Sequence, residues 1–383
     1  VLCYPQRNVM HTYTVDRHLC EAAANASELT DRVTRPDLLV VGALFHDIGK
    51  GFPGDHTEVG IELIGKIGER MGYPASDTAV LVDLCRHHLL LPDIATRRDL
   101  SDPGTIRAVA AAVDSVPFLD LLAALTEADS KATGPSAWGS WKAGLLRELV
   151  GRTARVLDGD SPVDVVGAEF PDPEVAAMMA AGQRVLQGTG TTFTVVAPER
   201  VGLFTTMAGV LAVCGLEVLD ASAYSEDPEP ATAVGSGQPM AACQFVLQPP
   251  QSGSVDWERV IATAEKALDG RLALQARVAR KAREQSRYRR RLAAAPPRRH
   301  VVIDNTISDV STVVEVHAPD ELGLLYRLTQ VLRELQLDIR TAKVQTLGPQ
   351  VVDSFYLQDG SGHKLVDTEL TAELRLALDE AIG

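Results

Sequence analysis

Residues able to hold a divalent cation are spread through the first third of the chain. His46-Asp47 closes the apolar run 38–45 and is followed by Ile48-Gly49-Lys50-Gly51. A histidine and an aspartate at one helix end set an imidazole nitrogen beside a carboxylate oxygen, which suits Mn²⁺, Fe²⁺ or Mg²⁺. His18 lies on a helix suggested by Tyr13-Thr-Val-Asp-Arg-His18, and Asp129 lies near the end of an apolar helix containing Leu121-Leu122-Ala-Ala-Leu125. A bound ion of this kind lowers the pKa of water and supplies hydroxide near neutral pH. Asp47 could orient that water or take its proton, and Lys50 is a flexible cation placed to meet a phosphate. Arg97 and Arg98, after Pro92-Asp93, suit the same task or are plain surface charges.

Two more histidines fit a second metal or the substrate phosphate. His56 follows Gly54-Asp55, and His88 ends a helix over 80–88, with His87 as the alternative at that place. His11, His300, His317 and His363 have no such context and read as surface residues. A lone histidine on a helix is more often structural than a ligand. Four ligand residues in order on three helices reverse that expectation.

The elements that must position these groups are helices. Arg35-Pro36-Asp37 reads as a helix start, with Pro early and an acid in the first turn. The run 38–45 is apolar almost throughout, so that helix is buried on most sides. Residues 77–91, and 118–129 after Pro117, read as further helices. Strand patterns are scarce before residue 150, which predicts an all-α domain over 1–150. Residues 151–190 mix Gly, Pro and Asp with one amphipathic stretch, 173–186, and read as a helical connector.

The second half repeats itself. Phe193-Thr-Val-Val-Ala-Pro-Glu-Arg-Val-Gly-Leu-Phe204 matches Val314-Glu-Val-His-Ala-Pro-Asp-Glu-Leu-Gly-Leu-Leu325 at a constant offset of 121 residues. Each unit is expected to run βαββαβ as an α+β sandwich with antiparallel strands, over 191–275 and 311–383. Between them, residues 276–310 form a basic linker whose Arg-rich part, 277–299, reads as a solvated helix and linker rather than a nucleic-acid surface. In the turns Pro198-Glu199-Arg-Val-Gly202 and Pro319-Asp320-Glu-Leu-Gly323, an acid and a glycine three residues on let the backbone bend against a small ligand. The acid can meet an α-ammonium and the following helix N-terminus an α-carboxylate. The competing reading is that Glu199 and Asp320 only cap helices.

Composition narrows the classes. At 383 residues the chain exceeds what a single core usually supports. Its formal net charge of −14 argues against a nucleic-acid partner. Five cysteines without a CxxC pair argue against a zinc knuckle or disulfide scaffold, and the cytoplasm is the natural compartment. No run of about 18 apolar residues exists to span a membrane. The opening Val-Leu-Cys-Tyr-Pro-Gln-Arg has neither an initiator Met nor a signal layout and reads as the interior of something longer.

The order His…His-Asp…Asp resembles the HD domain, and that resemblance implies that His18, His46, Asp47 and Asp129 converge on one metal. With Gly54-Asp-His56, His88-Leu-Leu, Arg97-Arg-Asp99 and Trp138-Gly-Ser-Trp-Lys-Ala-Gly-Leu-Leu-Arg-Glu148, the chain resembles the bifunctional uridylyltransferase/uridylyl-removing enzymes. The resemblance runs the length of the chain: HD domain, connector, two amino-acid-sensing ACT domains. It implies a multidomain protein in which an all-α HD domain is followed by two ferredoxin-like ACT domains. It further implies that the HD domain, with Mg²⁺ or Mn²⁺, hydrolyses the phosphodiester joining UMP or AMP to a tyrosine of the PII signalling protein. Glutamine at Glu199, Gly202, Asp320 and Gly323 is the implied effector. Family members also carry an N-terminal nucleotidyltransferase domain with Gly-Ser and paired aspartates. Gly139-Ser140 is followed by Trp141-Lys142 instead, so this chain alone is expected to lack transferase activity. Two alternatives remain: a sensor whose HD site is vestigial, and a guanosine tetraphosphate hydrolase, although those usually carry acids where Gly49-Lys50 stands.

Overall fold

A computed structural model describes residues 3–6, 11–134, 137–167, 170–226, 238–249, 253–289, 299–347 and 349–383. The chain divides into two compact units, Val1–Gly167 and Ala168–Gly383.

The first unit is helical: α1 (Val15–Ser27), α2 (Pro36–Phe45), α3 (His56–Met71), α4 (Ala75–His87), α5 (Leu90–Arg97), α6 (Pro103–Val113), α7 (Val116–Thr133), α8 (Ser140–Leu157) and α9 (Pro162–Val165). Buried Val15, His18, Leu19, Ala22 and Ala26 form one stripe along α1, so a polar imidazole occupies a core position. That stripe packs on α7, whose Leu121, Leu122, Leu125 and Ala128 are buried. Pro36 opens α2 as expected, and Leu38, Leu39, Gly42 and Ala43 carry its buried side. Asp55 caps α3, accepting from the Thr57 and Glu58 amides. The single helix expected over 77–91 is instead two. Pro92 lacks the N–H that a continuous helix would direct at the His88 carbonyl, so α4 stops at His87 and α5 begins at Leu90.

The second unit contains α10 (Pro173–Ala180), β1 (Val185–Thr189), β2 (Thr192–Pro198), α11 (Leu203–Cys214), β3 (Val218–Ser225), β4 (Met240–Leu247), α12 (Trp257–Leu268), α13 (Leu274–Arg289), β5 (His300–Asp304), β6 (Thr312–Pro319), α14 (Leu324–Glu334), β7 (Asp338–Leu347), β8 (Gln350–Gln358) and α15 (Thr368–Ile382). The repeat and the α+β class are present as expected, but the order differs. The fourth strand of each unit comes first, as β1 or β5, giving ββαββα. The sheet order is β1-β2-β4-β3-β7-β8-β6-β5, and every pairing is antiparallel. β3 and β7 join the two halves through Asp220, Ala221 and Ser222 paired with Lys343, Ala342 and Thr341. Lys343 Nζ lies 2.8 Å from Asp220 Oδ2 across that seam.

The stretches read as connector and linker are therefore partly ordered elements. Residues 151–157 finish α8, α10 and β1 belong to the second unit, and the basic segment supplies α13 and β5. Val278 of α13 is buried, so that helix is not simply solvated. Residues 290–298 lie outside the described residues. Among the described residues no single helix is long and apolar enough to cross a membrane.

Candidate metal centre and ligand pockets

Five helices bring the predicted ligands together. His18 comes from α1, His46 and Asp47 from the end of α2, His56 from the start of α3, His88 from the end of α4 and Asp129 from α7. His18 Nε2 lies 3.0 Å from Asp129 Oδ1 and 3.4 Å from His46 Nε2. His46 Nε2 lies 3.4 Å from Asp129 Oδ1 and 3.5 Å from Asp47 Oδ2. The other Asp47 oxygen faces a second set: Oδ1 is 3.5 Å from His88 Nε2 and 3.8 Å from His56 Nε2. Asp47 thus stands between two ligand groups, one His18-His46-Asp129 and one His56-His88.

The local backbone sets which nitrogen is offered. His46 Nδ1 sits 2.8 Å from the Ala43 carbonyl and His88 Nδ1 2.6 Å from the Cys85 carbonyl. A carbonyl only accepts, so each Nδ1 carries a proton and each Nε2 is the nitrogen turned toward the cluster, available as a ligand once any proton on it is lost. His18, His46, Asp47 and His88 are all buried. Among the described residues Asp47 Oδ1 and His18 Nδ1 have no hydrogen-bond partner. Lone pairs that converge in a dry site with an orphaned carboxylate oxygen fit a divalent cation and little else.

The charges agree. Burial works against a charged His46, but the Asp129 and Asp47 carboxylates outweigh it and raise its pKa to about 9. Burial would raise Asp47, yet His46, Lys50 and His88 hold it down at about 2. Asp129 is likewise held well below the usual range by His46 and His18, against its burial. Two ionised carboxylates in one enclosed site create a standing demand for positive charge. Lys50 meets part of it, pairing with Asp47 Oδ2 and donating to Gln6 Oε1 at 3.1 Å.

His11 was read as a surface residue, and the structure corrects this. It is half-buried, its ring 5.2 Å from that of His18, and it joins His18 and Asp47 as a further ligand-type group. Burial first, then Lys50 and His18, lower its pKa to about 4. Two bonds from Thr12 to the Thr133 carbonyl, from its amide at 3.0 Å and its hydroxyl at 3.3 Å, pin the segment before α1 to the end of α7. His87 turns away, its ring 6.3 Å from Phe118. Arg97 ends α5 with its guanidinium 3.2 Å from Asp93, and Arg98 is the C-cap of that helix. His300 and His317 stack at 4.0 Å across β5 and β6, and His363 is exposed.

In the sheet unit, Gly202 and Gly323 are the N-caps of α11 and α14, both left-handed, with φ 86° and 81°. Because the N-cap of each helix is a glycine, neither helix has a side-chain cap from its N-cap residue, and Glu199 and Asp320 stand three residues earlier in their turns. Each turn borders a cavity that the other half completes. Asp320 and Gly323 line one of about 430 Å³ with Ala208, Gly215 and Glu217 of the first half. Glu199 and Gly202 line one of about 640 Å³ with Thr329, Gln336 and Asp338 of the second. Ala208, Gly215 and Glu217 lie 121 positions before Thr329, Gln336 and Asp338, so the cavities are related by the internal repeat.

Comparison with known proteins agrees with this architecture. Residues 15–130 match the HD domain family, and residues 300–382 match the family described as ACR9-like, ACT-like domain. The chain is 38% identical over 428 residues to the bifunctional uridylyltransferase/uridylyl-removing enzyme of Streptomyces coelicolor, covering 100% of this chain and 50% of that protein. It is 38% identical over 369 residues to the protein of that name in Mycobacterium tuberculosis, 92% of this chain and 44% of the relative. The Azospirillum brasilense protein of that name is 31% identical over 452 residues, 100% and 47%. The chain thus spans about half the length of the curated relatives it matches. The chain therefore carries an HD-domain match over residues 15–130 and an ACT-like match over residues 300–382, and it is similar throughout to one half of the bifunctional uridylyltransferase/uridylyl-removing enzymes.

Proposed function

We propose that the HD unit removes a nucleotidyl group from a tyrosine of the PII signalling protein, with Mg²⁺ or Mn²⁺ held by His18, His46, Asp47 and Asp129 and a second ion by Asp47, His56 and His88. The observation that carries this reading is the bridging position of Asp47, one oxygen toward each histidine group. A bound divalent ion supplies activated water at neutral pH and charge stabilisation at the phosphoryl oxygens. Water adds to phosphorus, the P–O bond to the tyrosine breaks, and the products are the mononucleotide and free tyrosine. Phenol has a pKa near 10, so the leaving group needs little help from an acid. A carboxylate held as low as Asp47 is a weak base, which makes it an orienting group for water more than a proton acceptor. Lys50, with Arg97 and Arg98 further out, provides cations for the phosphate.

The ACT pair is read as the control element, binding glutamine at the Glu199–Gly202 and Asp320–Gly323 turns. Control requires glutamine to favour one arrangement of the protein over another, a coupling of about 1–3 kcal/mol in typical cases. The test is to incubate the chain and Mn²⁺ with uridylylated and adenylylated PII and to identify the released mononucleotide by mass. Release of UMP or AMP supports the reading and names the group. Release of neither, from a chain that binds Mn²⁺, rejects it.

A further inference from the structure

The two repeat-related cavities differ at one buried position. Along β8, Val351, Asp353, Phe355 and Leu357 share the face turned to the helices, and the three apolar members belong to the main core. Along β4 the same face carries Ala241, Cys243, Phe245 and Leu247, all core. Register makes Asp353 and Cys243 equivalent, because Val316 pairs with Asp353 and Val195 with Cys243, and 195 and 316 are 121 apart. One half therefore places a carboxyl where the other places a small apolar thiol.

Asp353 is 1% exposed, and its Oδ1 has no hydrogen-bond partner among the described residues. Burial and the nearby Asp320 push its carboxyl up to about 8. An unpaired carboxyl in a core is costly to keep. It does, however, line the cavity at the Asp320 turn, and so does Gln285 Oε1, which is also buried without a partner. A buried carboxyl and an amide oxygen without hydrogen-bond partners in one cavity call for a polar ligand, and an ammonium is the group that would favour the ionised form of that carboxyl.

The same cavity has a cation. Lys281 of α13 donates to the Val213 carbonyl at 2.7 Å, which occupies one of its three protons. A Cβ at Gly215 would come within 2.8 Å of its Nζ, and the backbone there is left-handed with φ 79°, so the glycine leaves room for the lysine head at that place. The equivalent position in the other cavity is Gln336, and α13 contributes no lining residue to that cavity.

We propose that Asp353 receives the ammonium of an amino-acid ligand in the cavity at the Asp320 turn, and that the cavity at the Glu199 turn, with Cys243 in its place, is not an equivalent site. This rests on the reading of the ACT pair as an amino-acid receptor. It adds to that reading which cavity discriminates for an amine, and by which residue. Asp320 borders the same cavity and reinforces its negative charge.

The test uses calorimetry on the whole 383-residue chain with L-glutamine and with 4-carbamoylbutanoate, which keeps the amide and carboxylate but lacks the amine. The native chain is expected to prefer glutamine by about ten- to a hundredfold, the range of a charge-assisted contact. Asp353→Asn should lose that preference by weakening glutamine alone, while its thermal midpoint does not fall. Cys243→Ala should leave both affinities unchanged. Glutamine binding as tightly to Asp353→Asn as to the native chain overturns the proposal. So does equal binding of the two compounds by the native chain, a comparison that needs no variant. A native chain that binds no free amino acid rejects the receptor reading itself, a result distinct from binding that ignores Asp353.

Discussion

The helical unit and the sheet unit both bury carboxylates, and they handle the cost differently. At the candidate metal centre Asp47 and Asp129 are surrounded by imidazoles and by Lys50, so each carboxylate has ion-pairing neighbours before any ion arrives, although Asp47 Oδ1 makes no hydrogen bond among the described residues. In the sheet unit Asp353 sits among Val351, Phe355 and Leu357 with one oxygen unanswered. Crowded charge, as in the first case, gives strong binding of a small hard ion whose removal leaves the remaining groups paired among themselves. A buried acid set among apolar side chains gives selectivity for one polar group, because leaving it unpaired is costly and a ligand donor relieves that cost.

This contrast can be broken at several points. The largest effect is expected from Asp47→Ala, which removes the ligand common to both histidine groups. Release of nucleotide from modified PII in Mn²⁺ should drop by on the order of a thousandfold or more, and full activity in that variant would take Asp47 out of the reaction. Next comes pH. His46 has its pKa raised from 6.5 to about 9 in the metal-free chain. The stability it contributes is complete below about 6.5 and is lost as pH climbs through 9. A metal must displace that proton, so apparent Mn²⁺ affinity should climb about tenfold per pH unit from 7 toward 9 and then level off. A flat affinity over that range, measured by calorimetry, places the proton elsewhere. His11→Ala should cost about ten- to a hundredfold in metal affinity, the usual effect of a group supporting the ligands. Unchanged affinity would return His11 to the status of bystander. The smallest effect is reserved for Asp320→Ala, which should weaken glutamine binding about tenfold while basal hydrolysis continues. Equal glutamine affinity before and after that change would remove Asp320 from the receptor.

Much of the helical unit was legible in the sequence because its chemistry is written in adjacent or cap-defined residues. His46-Asp47 follows a helix whose Pro36 start and apolar run are local signals. His11 was not legible, since it is brought to His18 with the help of the Thr12–Thr133 contact, between residues 121 apart. The repeat in the sheet unit was legible from its constant offset. Its edge strands were not: β1 is five residues with a glycine, and β5 follows an Arg-rich stretch, so neither shows an alternating pattern of useful length. Which strand fills the sheet edge is settled by pairing with β2 or β6 and not by local propensity. Asp353 was hidden for a similar reason, because a face is defined only once β8 has neighbours on both sides.

The seam between β3 and β7 has a further consequence. Two like halves carried on separate chains would come apart on dilution. Here the halves share one backbone, and each is held near its counterpart at the effective concentration its tether sets. The pair of cavities is therefore complete in a single molecule, whatever the abundance of the protein.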